Sequence, residues 1–266
     1  MHQFKMCDSC QEEYQDIEDR RYHAQPNCCY DCGPTLYYVD SHNKTITDNV
    51  IDYVKRELKL GKILAIKGIG GFHLACDAKN KEAVERLRIR KNREEKPFAI
   101  MCKDLNTAYN ICNISADEEK YLTSFRRPIV LLEKKNNKFD YISIDNNYLG
   151  VMLPYTPVHY LLFDDELDVL VMTSANIKDC PIIKDNEEAI KGLMEIADGF
   201  LLNNRDIHIR CDDSLIYVFE GSEYFIRRSR GYTPFPIKVN FEFEDLLSCG
   251  AEQKASFCLL KQNYVF

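Results

Sequence analysis

Cysteine is the residue type whose spacing carries the clearest chemistry in this chain. Cys7-x2-Cys10-x18-Cys29-x2-Cys32 sets two Cys-x-x-Cys knuckles 18 residues apart. That spacing matches the ligand set of a tetrahedral zinc site. Two thiolates three residues apart can face one ion, and a second such pair closes the shell. A closed shell leaves no position for water or substrate. Cys7, Cys10, Cys29 and Cys32 are therefore expected to hold a structural Zn2+ and not a catalytic one.

Three further clusters have side chains able to do chemistry. Lys91-Asn92-Arg93-Glu94-Glu95-Lys96-Pro97 follows a helical pattern and precedes an apolar run. It reads either as a solvated face complementing a helix dipole or as a cation cluster for an anionic ligand. Thr173-Ser174-Ala175-Asn176 ends an apolar run. Its small polar groups can form a turn, or can hydrogen-bond a ligand at the carboxyl end of a sheet. Arg227-Arg228-Ser229-Arg230-Gly231 puts three arginines in four residues, and arginine is suited to bidentate phosphate recognition. Together the three describe a basic cleft lined by small polar groups, fit for a nucleoside triphosphate. Gly68-Ile69-Gly70-Gly71 is not followed by Gly-Lys-Ser/Thr at P-loop spacing, and no dinucleotide fingerprint is present. An ATP site here must be of another kind.

Such groups need a scaffold. A helix is expected from Asp48 to Leu60, capped by Thr47 or Asp48, with Val50, Ile51, Val54 and Leu58 as its apolar stripe and Gly61 as its stop. A buried strand from Ile63 to Ile66 leads into the glycine-rich turn. A second helix is expected from about Lys81 to Lys91, with Asn80 as its cap. Short apolar runs follow at Phe98–Cys102, Pro128–Leu132, Gly150–Leu153, Val169–Met172, Phe200–Leu202, Leu215–Phe219 and Tyr224–Ile226, with helical patterns near 104–112, 157–163 and 185–197. Strands interleaved with helices predict an α+β (α/β) arrangement around one twisted sheet. Residues 41–46 read as a polar join and 235–247 as an acidic, aromatic linker.

Bulk properties narrow the class. With 266 residues the chain can hold one sizeable domain and a small module. No run approaches the roughly 20 apolar residues of a membrane helix, and no signal peptide is visible. The expectation is a cytoplasmic protein without membrane contact. Of 12 cysteines, the eight outside the metal pattern are scattered and read as small core residues. The net charge is −7, and residues 1–40 carry eight acidic groups against three basic ones. A module that neutralises phosphates needs the opposite sign, so nucleic acid is not an expected partner. Residues 1–40 also hold little apolar material, so metal binding must supply their folding free energy.

The string Cys7-Asp8-Ser9-Cys10 through Asp19-Arg20-Arg21-Tyr22-His23-Ala24-Gln25-Pro26 to Cys29-Tyr30-Asp31-Cys32-Gly33-Pro34 closely resembles the second zinc finger of the HypF family, carbamoyltransferases of nickel–iron hydrogenase maturation. Lys91-x-Arg93 and Ser174-x-Asn176 match, in order, two short motifs of the YrdC family of carbamoyl- and threonylcarbamoyl-adenylate synthases. Lys67-Gly-Ile-Gly-Gly-Phe-His-Leu-Ala-Cys-Asp77, Asn204-Arg205-Asp206-Ile207, Asp212-Asp213-Ser214 and Arg227 to Tyr232 are similar to the HypF version of that domain.

The resemblance implies a YrdC/RibB-like twisted sheet with flanking helices, related to double-stranded-RNA-binding-like folds, behind a small four-cysteine finger. It implies a finger over 1–40, an ATP-dependent carbamoyl-adenylation domain over 41–237, and over 238–266 a linker and the truncated start of a transferase-like domain. The chain then looks like an internal fragment or a split-gene product, unable to complete the transfer alone. Lys91, Arg93 and Lys96 would meet the triphosphate and carbamoyl oxygens. Ser174 and Asn176 would hold the α-phosphate or ribose side. Arg227, Arg228 and Arg230 would close over the nucleotide with Ser214 nearby, and Lys67 and His73 would line the glycine-rich edge. Mg2+ would accompany ATP. Carbamate derived from carbamoyl phosphate would be the second substrate, and HypE the final acceptor. The alternatives are a threonylcarbamoyl-AMP synthase of tRNA modification, an antibiotic O-carbamoyltransferase, and a non-catalytic zinc-dependent protein-binding module.

Overall fold

A computed structural model of the chain describes residues 3–176, 180–250 and 256–266. In chain order its first half contains α1 (Asp8–Gln15), β1 (Leu36–Asp40), β2 (Thr45–Ile46), α2 (Val50–Lys59), β3 (Leu64–Lys67), β4 (Phe72–Asp77), α3 (Lys81–Arg90), β5 (Ala99–Cys102), α4 (Leu105–Ile111), β6 (Cys112–Asn113) and α5 (Ala116–Thr123). The second half contains β7 (Ile129–Lys134), β8 (Tyr148–Met152), α6 (Pro157–Leu161), β9 (Val169–Ser174), α7 (Asn186–Leu193), β10 (Gly199–Asn203), β11 (Leu215–Phe219), β12 (Ser222–Arg227), β13 (Ile237–Cys249) and β14 (Phe257–Val265).

One mixed sheet runs β12-β11-β7-β8-β5-β9-β4-β3-β10-β1-β2, with β6 added beside β7. The period-2 alternation of its strands sorts two apolar layers. On one face Leu64, Ile66, Ala75, Met101, Met152, Leu170, Met172 and Leu201 pack with Val50, Val54 and Leu58 of α2. On the other face Ala65, Leu74, Cys76, Ile100, Cys102, Val151, Val169, Val171 and Leu202 pack with residues of α3, α4, α5 and α7. Strands buried on both faces read as continuous apolar runs, which is why β3, β5, β8, β9 and β10 are plain in the sequence.

Helix ends follow local capping chemistry. The Asn80 side chain accepts the Ala83 N–H at 3.0 Å, as the sequence predicts. The cap of α2 is neither Thr47 nor Asp48 but Asn49, at φ 47° and ψ 39°. Asparagine tolerates that left-handed backbone better than most residues. At α5 a capping box forms between Ser115 and Glu118.

Two stretches depart from the expected organisation. Residues 36–46, read as the end of the finger and a polar join, hold two short strands: β1 lies antiparallel to β10, from Leu36↔Asn203 to Asp40↔Gly199, and β2 pairs with β1. Tyr37, Tyr38 and Val39 carry that strand into the sheet. The 235–247 linker is also corrected, since Ile237 begins β13, which pairs with β14 from Ile237↔Val265 to Cys249↔Phe257 as a separate two-stranded sheet. Its alternation of β-branched, aromatic and charged residues suits a strand exposed on both faces. Phe241, Leu246, Leu247, Phe257, Leu259 and Phe266 are exposed on it.

Candidate metal centre and nucleotide site

The N-terminal module has almost no core. Among residues 3–35 only Cys10, Asn27 and Gly33 are buried. What gathers it is sulfur. Cys7 and Cys29 Sγ lie 3.6 Å apart, Cys29 and Cys32 3.8 Å, and Cys10 and Cys32 3.7 Å. All four sulfurs lie within 4.8 Å of one another. Four ligands about 2.3 Å from a central zinc stand at tetrahedron edges of about 3.8 Å, so the cluster has the dimensions of a zinc-thiolate site. Backbone N–H donation from Cys29 and Cys7 lowers the Cys32 thiol to about 7, whereas burial raises the Cys10 thiol and, against a Cys10 N–H that lowers it, the Cys29 sulfur raises that of Cys7. The Asn27 Nδ2 donates to the Cys10 carbonyl at 2.8 Å. The module is tied to the sheet by Asn204, whose Oδ1 accepts the Thr35 N–H at 2.9 Å and whose carbonyl accepts the Gln3 amide at 2.9 Å.

The other predicted residues meet at the end of the sheet where β9 and β3 finish and β4 begins. Lys91, just past α3, reaches across to β9. Its Nζ donates to the Ser174 carbonyl at 2.7 Å and approaches Asn176 Oδ1 at 3.4 Å. The Ser174 Oγ donates to that same Asn176 oxygen at 3.0 Å. Arg93 is more deeply placed than its charged neighbourhood suggests. Its Nε donates to the Lys96 carbonyl at 3.0 Å, Nη1 to Thr173 Oγ1 at 3.1 Å, and Nη2 to the Pro97 carbonyl. Its guanidinium lies over the Phe98 ring. Burial, with Arg88 and Arg227 nearby, lowers it to about 10, so it stays charged at neutral pH. Lys96 itself is exposed.

Lys67 is buried at the end of β3, with Nζ on the Asn203 carbonyl at 3.0 Å, and burial depresses its ammonium. Arg227 ends β12, its Nη1 3.4 Å from the Asp213 carbonyl. Arg228 turns to the carbonyls of Tyr232 and Phe235, at 3.1 and 2.6 Å.

Two predicted nucleotide ligands are spent inside the protein. Ser214 is fully buried; its hydroxyl donates to the Arg230 carbonyl at 2.9 Å and accepts the Ser229 N–H at 2.8 Å. Arg230 donates through Nε to Asp213 Oδ1 at 2.7 Å, and through Nη1 and Nη2 to the carbonyls of Arg126 and Arg127 at 3.0 and 2.7 Å. Its guanidinium carbon sits 3.5 Å from the Tyr155 ring centroid. All three nitrogens therefore have protein acceptors, and the residue braces the cleft wall.

That bracing exposes a network the sequence did not announce. Asp213 Oδ2 lies 2.8 Å from His73 Nε2, so one buried carboxylate joins His73 to Arg230. The His73 ring meets the His159 ring edge-on at 6.2 Å, and His159 meets Tyr155 at 4.5 Å. Burial pushes the Asp213 carboxyl up, but hydrogen bonding and charge from His73 and Arg230 override it and hold the group well below the ordinary carboxylate range. Burial lowers His159 to about 3, so it is neutral at pH 7. Tyr155 and His159 escape sequence reading, and Asp213 enters it only within the string Asp212-Asp213-Ser214 and without a role, because the partners are distant in the chain: His73 and Asp213 are 140 residues apart. The glycine turn packs against the same segment. A Cβ on Gly70 would stand 2.3 Å from the Cys211 carbonyl oxygen, and the Cys211 N–H donates to the Gly70 carbonyl at 2.9 Å. Glycine there lets two backbones touch.

Among the described residues no helix is long and apolar enough to cross a membrane. A family model for Sua5, YciO and YrdC proteins, described as "telomere recombination", matches residues 56–229, and a model described as "HypF finger" matches residues 6–39. The chain is 42% identical over 261 residues to "Carbamoyltransferase HypF" of Rhodobacter capsulatus, spanning 97% of this chain and 35% of that protein. A "Crystal structure of full-length HypF in the phosphate- and nucleotide-bound form" superposes with a TM-score of 0.90 at 50% identity, covering all of this chain and 35% of that one. A "Putative threonylcarbamoyl-AMP synthase" of Methanocaldococcus jannaschii is more distant, at 26% identity over 190 residues. The chain thus spans about a third of the length of its HypF relatives. With a Sua5/YciO/YrdC match over residues 56–229 and a HypF finger before it, this chain belongs to the Sua5/YciO/YrdC family, in the form found within carbamoyltransferases of the HypF type.

Proposed function

We propose that this region forms carbamoyl-adenylate from ATP and carbamate. The observation that carries the reading is the meeting of Lys91, Arg93, Ser174 and Asn176 at one end of the sheet, in a chain akin to a HypF whose solved structure is titled as nucleotide-bound. A carbamate oxygen attacks the α-phosphorus, the α–β phosphoanhydride bond breaks, and pyrophosphate departs with its electron pair. Charge builds on phosphate oxygens, so fixed cations and donors matter more than a proton carrier. Mg2+ bound with the triphosphate would screen that charge.

In this reading Lys91 gives its ammonium to the phosphates, exchanging contacts with Ser174 and Asn176 for phosphate oxygens. Ser174 and Asn176 orient the α-phosphate or ribose. Arg93 holds the Lys96–Pro97 backbone against Thr173 and adds a positive field, with Lys67, Lys96, Arg227 and Arg228 around it. Arg230 and Ser214 keep the wall of the cleft in place. In a full-length protein the carbamate would come from carbamoyl phosphate, and the carbamoyl group would pass on to HypE.

Lys91→Ala is expected to weaken ATP binding by one charge-assisted contact, roughly 1.5–3 kcal/mol, with little change in melting temperature. Arg93→Ala is expected to lower both ATP affinity and stability, because it also strands the acceptors it now satisfies. Calorimetric titration with ATP, paired with thermal unfolding, checks the contrast. Unchanged ATP affinity in both variants would place the nucleotide elsewhere.

ATP–pyrophosphate exchange tests the reaction itself, with carbamate supplied from ammonium bicarbonate and, separately, with threonine and bicarbonate. Exchange with carbamate alone is the expected result. A requirement for threonine would favour the threonylcarbamoyl-adenylate reading, to which the more distant relative points.

A further inference from the structure

A cleft of about 310 Å3 lies beyond the two sites described above, lined in part by Asn113, Ser115, Glu118, Glu133, Tyr148 and Tyr217. The sheet builds its floor. Register sets Asn113 opposite Glu133, and Glu133 opposite Tyr148, so β6, β7 and β8 turn these side chains to one face. The other face of the same region carries Leu132, Leu149 and Ile216 into the core. From β11 the Tyr217 ring meets the Tyr148 ring with centroids 5.7 Å apart and planes at 84°. The two rings make an aromatic corner. The start of α5 closes the side of the cleft, with Ser115 as its cap and Glu118 completing the capping box.

The charges around this corner are of one sign. Glu118 Oε2 accepts the Ser115 N–H and hydroxyl, both at 2.8 Å, and Glu133 Oε2 accepts the Asn113 amide at 3.2 Å. Among the described residues, neither Oε1 has a hydrogen-bond partner and neither carboxylate pairs with a lysine or arginine. The lysines nearest in sequence look elsewhere. Lys134 pairs with Asp140, Lys135 donates to the Tyr109 carbonyl, and Lys120 lies over the Tyr121 ring. Tyr217 first, then burial and the charges of Glu133 and Glu118, push the Tyr148 hydroxyl up. A metal ion fits this chemistry poorly, since hard cations want six or more oxygen ligands. Among the described residues the four cysteines are the one group of three or more metal-ligating side chains.

We propose that this cleft binds an organic cation, a guanidinium group above all. Its flat face lies on the Tyr148 and Tyr217 rings, and its N–H groups donate to the Oε1 atoms of Glu118 and Glu133. Aromatic faces attract such cations, and guanidinium, weakly hydrated and planar, stacks on them better than ammonium. The volume is at the small end of ligand pockets, about 300–1,000 Å3, so it suits a guanidinium on a short chain and not a nucleotide. Glu133 and Tyr148 are open to solvent, as is Tyr224, the cross-strand partner of Tyr217, so the cleft can be entered from outside. None of its residues belongs to the nucleotide site, and the inference stands apart from the adenylation reading.

The test titrates the zinc-loaded chain with n-butylguanidinium and with n-butylurea, its neutral isostere, and follows backbone amides by nitrogen-15 NMR. The guanidinium is expected to give saturable shifts confined to residues near 113–118, 133, 148 and 217, and the urea none. Tyr217→Leu should weaken binding roughly 3- to 30-fold, the range of a cation–aromatic contact. Glu133→Gln should weaken it about 2- to 5-fold, as for an exposed ion pair. Thermal unfolding checks that each variant is folded, and Tyr148→Leu replaces Tyr217→Leu if that one is not. Two further probes separate the sources of the group. Tighter binding of N-acetylarginine N-methylamide than of agmatine would assign the cleft to an arginine of a partner protein, and the reverse to a free small amine. Equal binding of the urea, shifts that never saturate or that scatter over other acidic groups, or affinity unchanged in the folded variants would overturn the proposal.

Discussion

Replacing Asp213 with alanine is expected to lower the stability of the main domain by about 3–5 kcal/mol, the usual cost of removing one partner from a buried ion pair. The loss has two sources. Arg230, 13% exposed at its side chain, would keep its charge without a counter-ion beneath the Tyr155 ring. His73 would lose the acceptor for Nε2. Because Arg230 also holds the carbonyls of Arg126 and Arg127, the 124–127 loop should loosen with it. Chemical denaturation of wild type and variant measures the difference, and a change below 1 kcal/mol would mean that the network relaxes at little cost. Acid sharpens the prediction. A carboxylate whose folded-state value is depressed stabilises the fold above its unfolded value, about 3.9, and that contribution drains away as pH falls toward the folded value. The gap between wild type and Asp213→Asn should therefore be full at neutral pH and narrow below about pH 4. His159 acts in a different window. Its folded value near 3 lies below the unfolded value of about 6.5, so the unfolded chain takes up a proton first, and stability falls between those values as pH drops. His159→Phe should flatten that part of the profile.

The second large effect is expected on zinc removal. Structural zinc in small fingers is worth about 10–16 kcal/mol of apparent binding free energy, and residues 3–35 bury only Cys10, Asn27 and Gly33. A strong chelator, or Cys29→Ser, should therefore unfold α1 and the loops around it outright. Metal analysis should give one zinc per chain before treatment, and hydrogen exchange should show loss of protection from Cys7 to Cys32 afterwards. The boundary of that loss is informative. β1 is part of the main sheet, next to β10, which in turn lies beside β3 and Lys67. Tyr38 is fully buried there, so β1 should keep its protection while the finger melts. ATP affinity should be largely intact. Loss of protection reaching β10 would show that the finger and the sheet fold as one unit.

What the sequence made legible, and what it hid, follows from the range of the interactions. The zinc ligands are a local pattern with a fixed spacing. α3 announced itself through its cap, Asn80. The doubly buried strands stood out as apolar runs. β4 did not, because Phe72-His-Leu-Ala-Cys-Asp77 follows directly on the glycine turn and its short run is broken by His73. β1 was hidden by its closeness to the last cysteine. In the site, Lys91, Ser174 and Asn176 come together as the motifs suggest, whereas Ser214 and Arg230 turn inward. Charge and polarity mark candidates for a ligand, but a buried carboxylate 17 residues upstream decides where an arginine points. No pattern within a window of a few residues contains that information.

The β13–β14 hairpin has its own consequence in time. Among the described residues each of its strands has a ladder on one side only, and apolar side chains such as Leu247 and Phe257 are 62% and 70% exposed. A lone two-stranded sheet is marginal in water. Its amide hydrogens should therefore exchange through local opening that costs almost nothing, while those of β3, β4 and β9 wait for the whole domain to unfold. The same opening frees strand edges with Phe241, Leu246 and Leu259 beside them, the kind of edge along which chains pair with one another. The shelf life of a concentrated solution would then be set by the fluctuations of this hairpin and not by the melting point of the sheet.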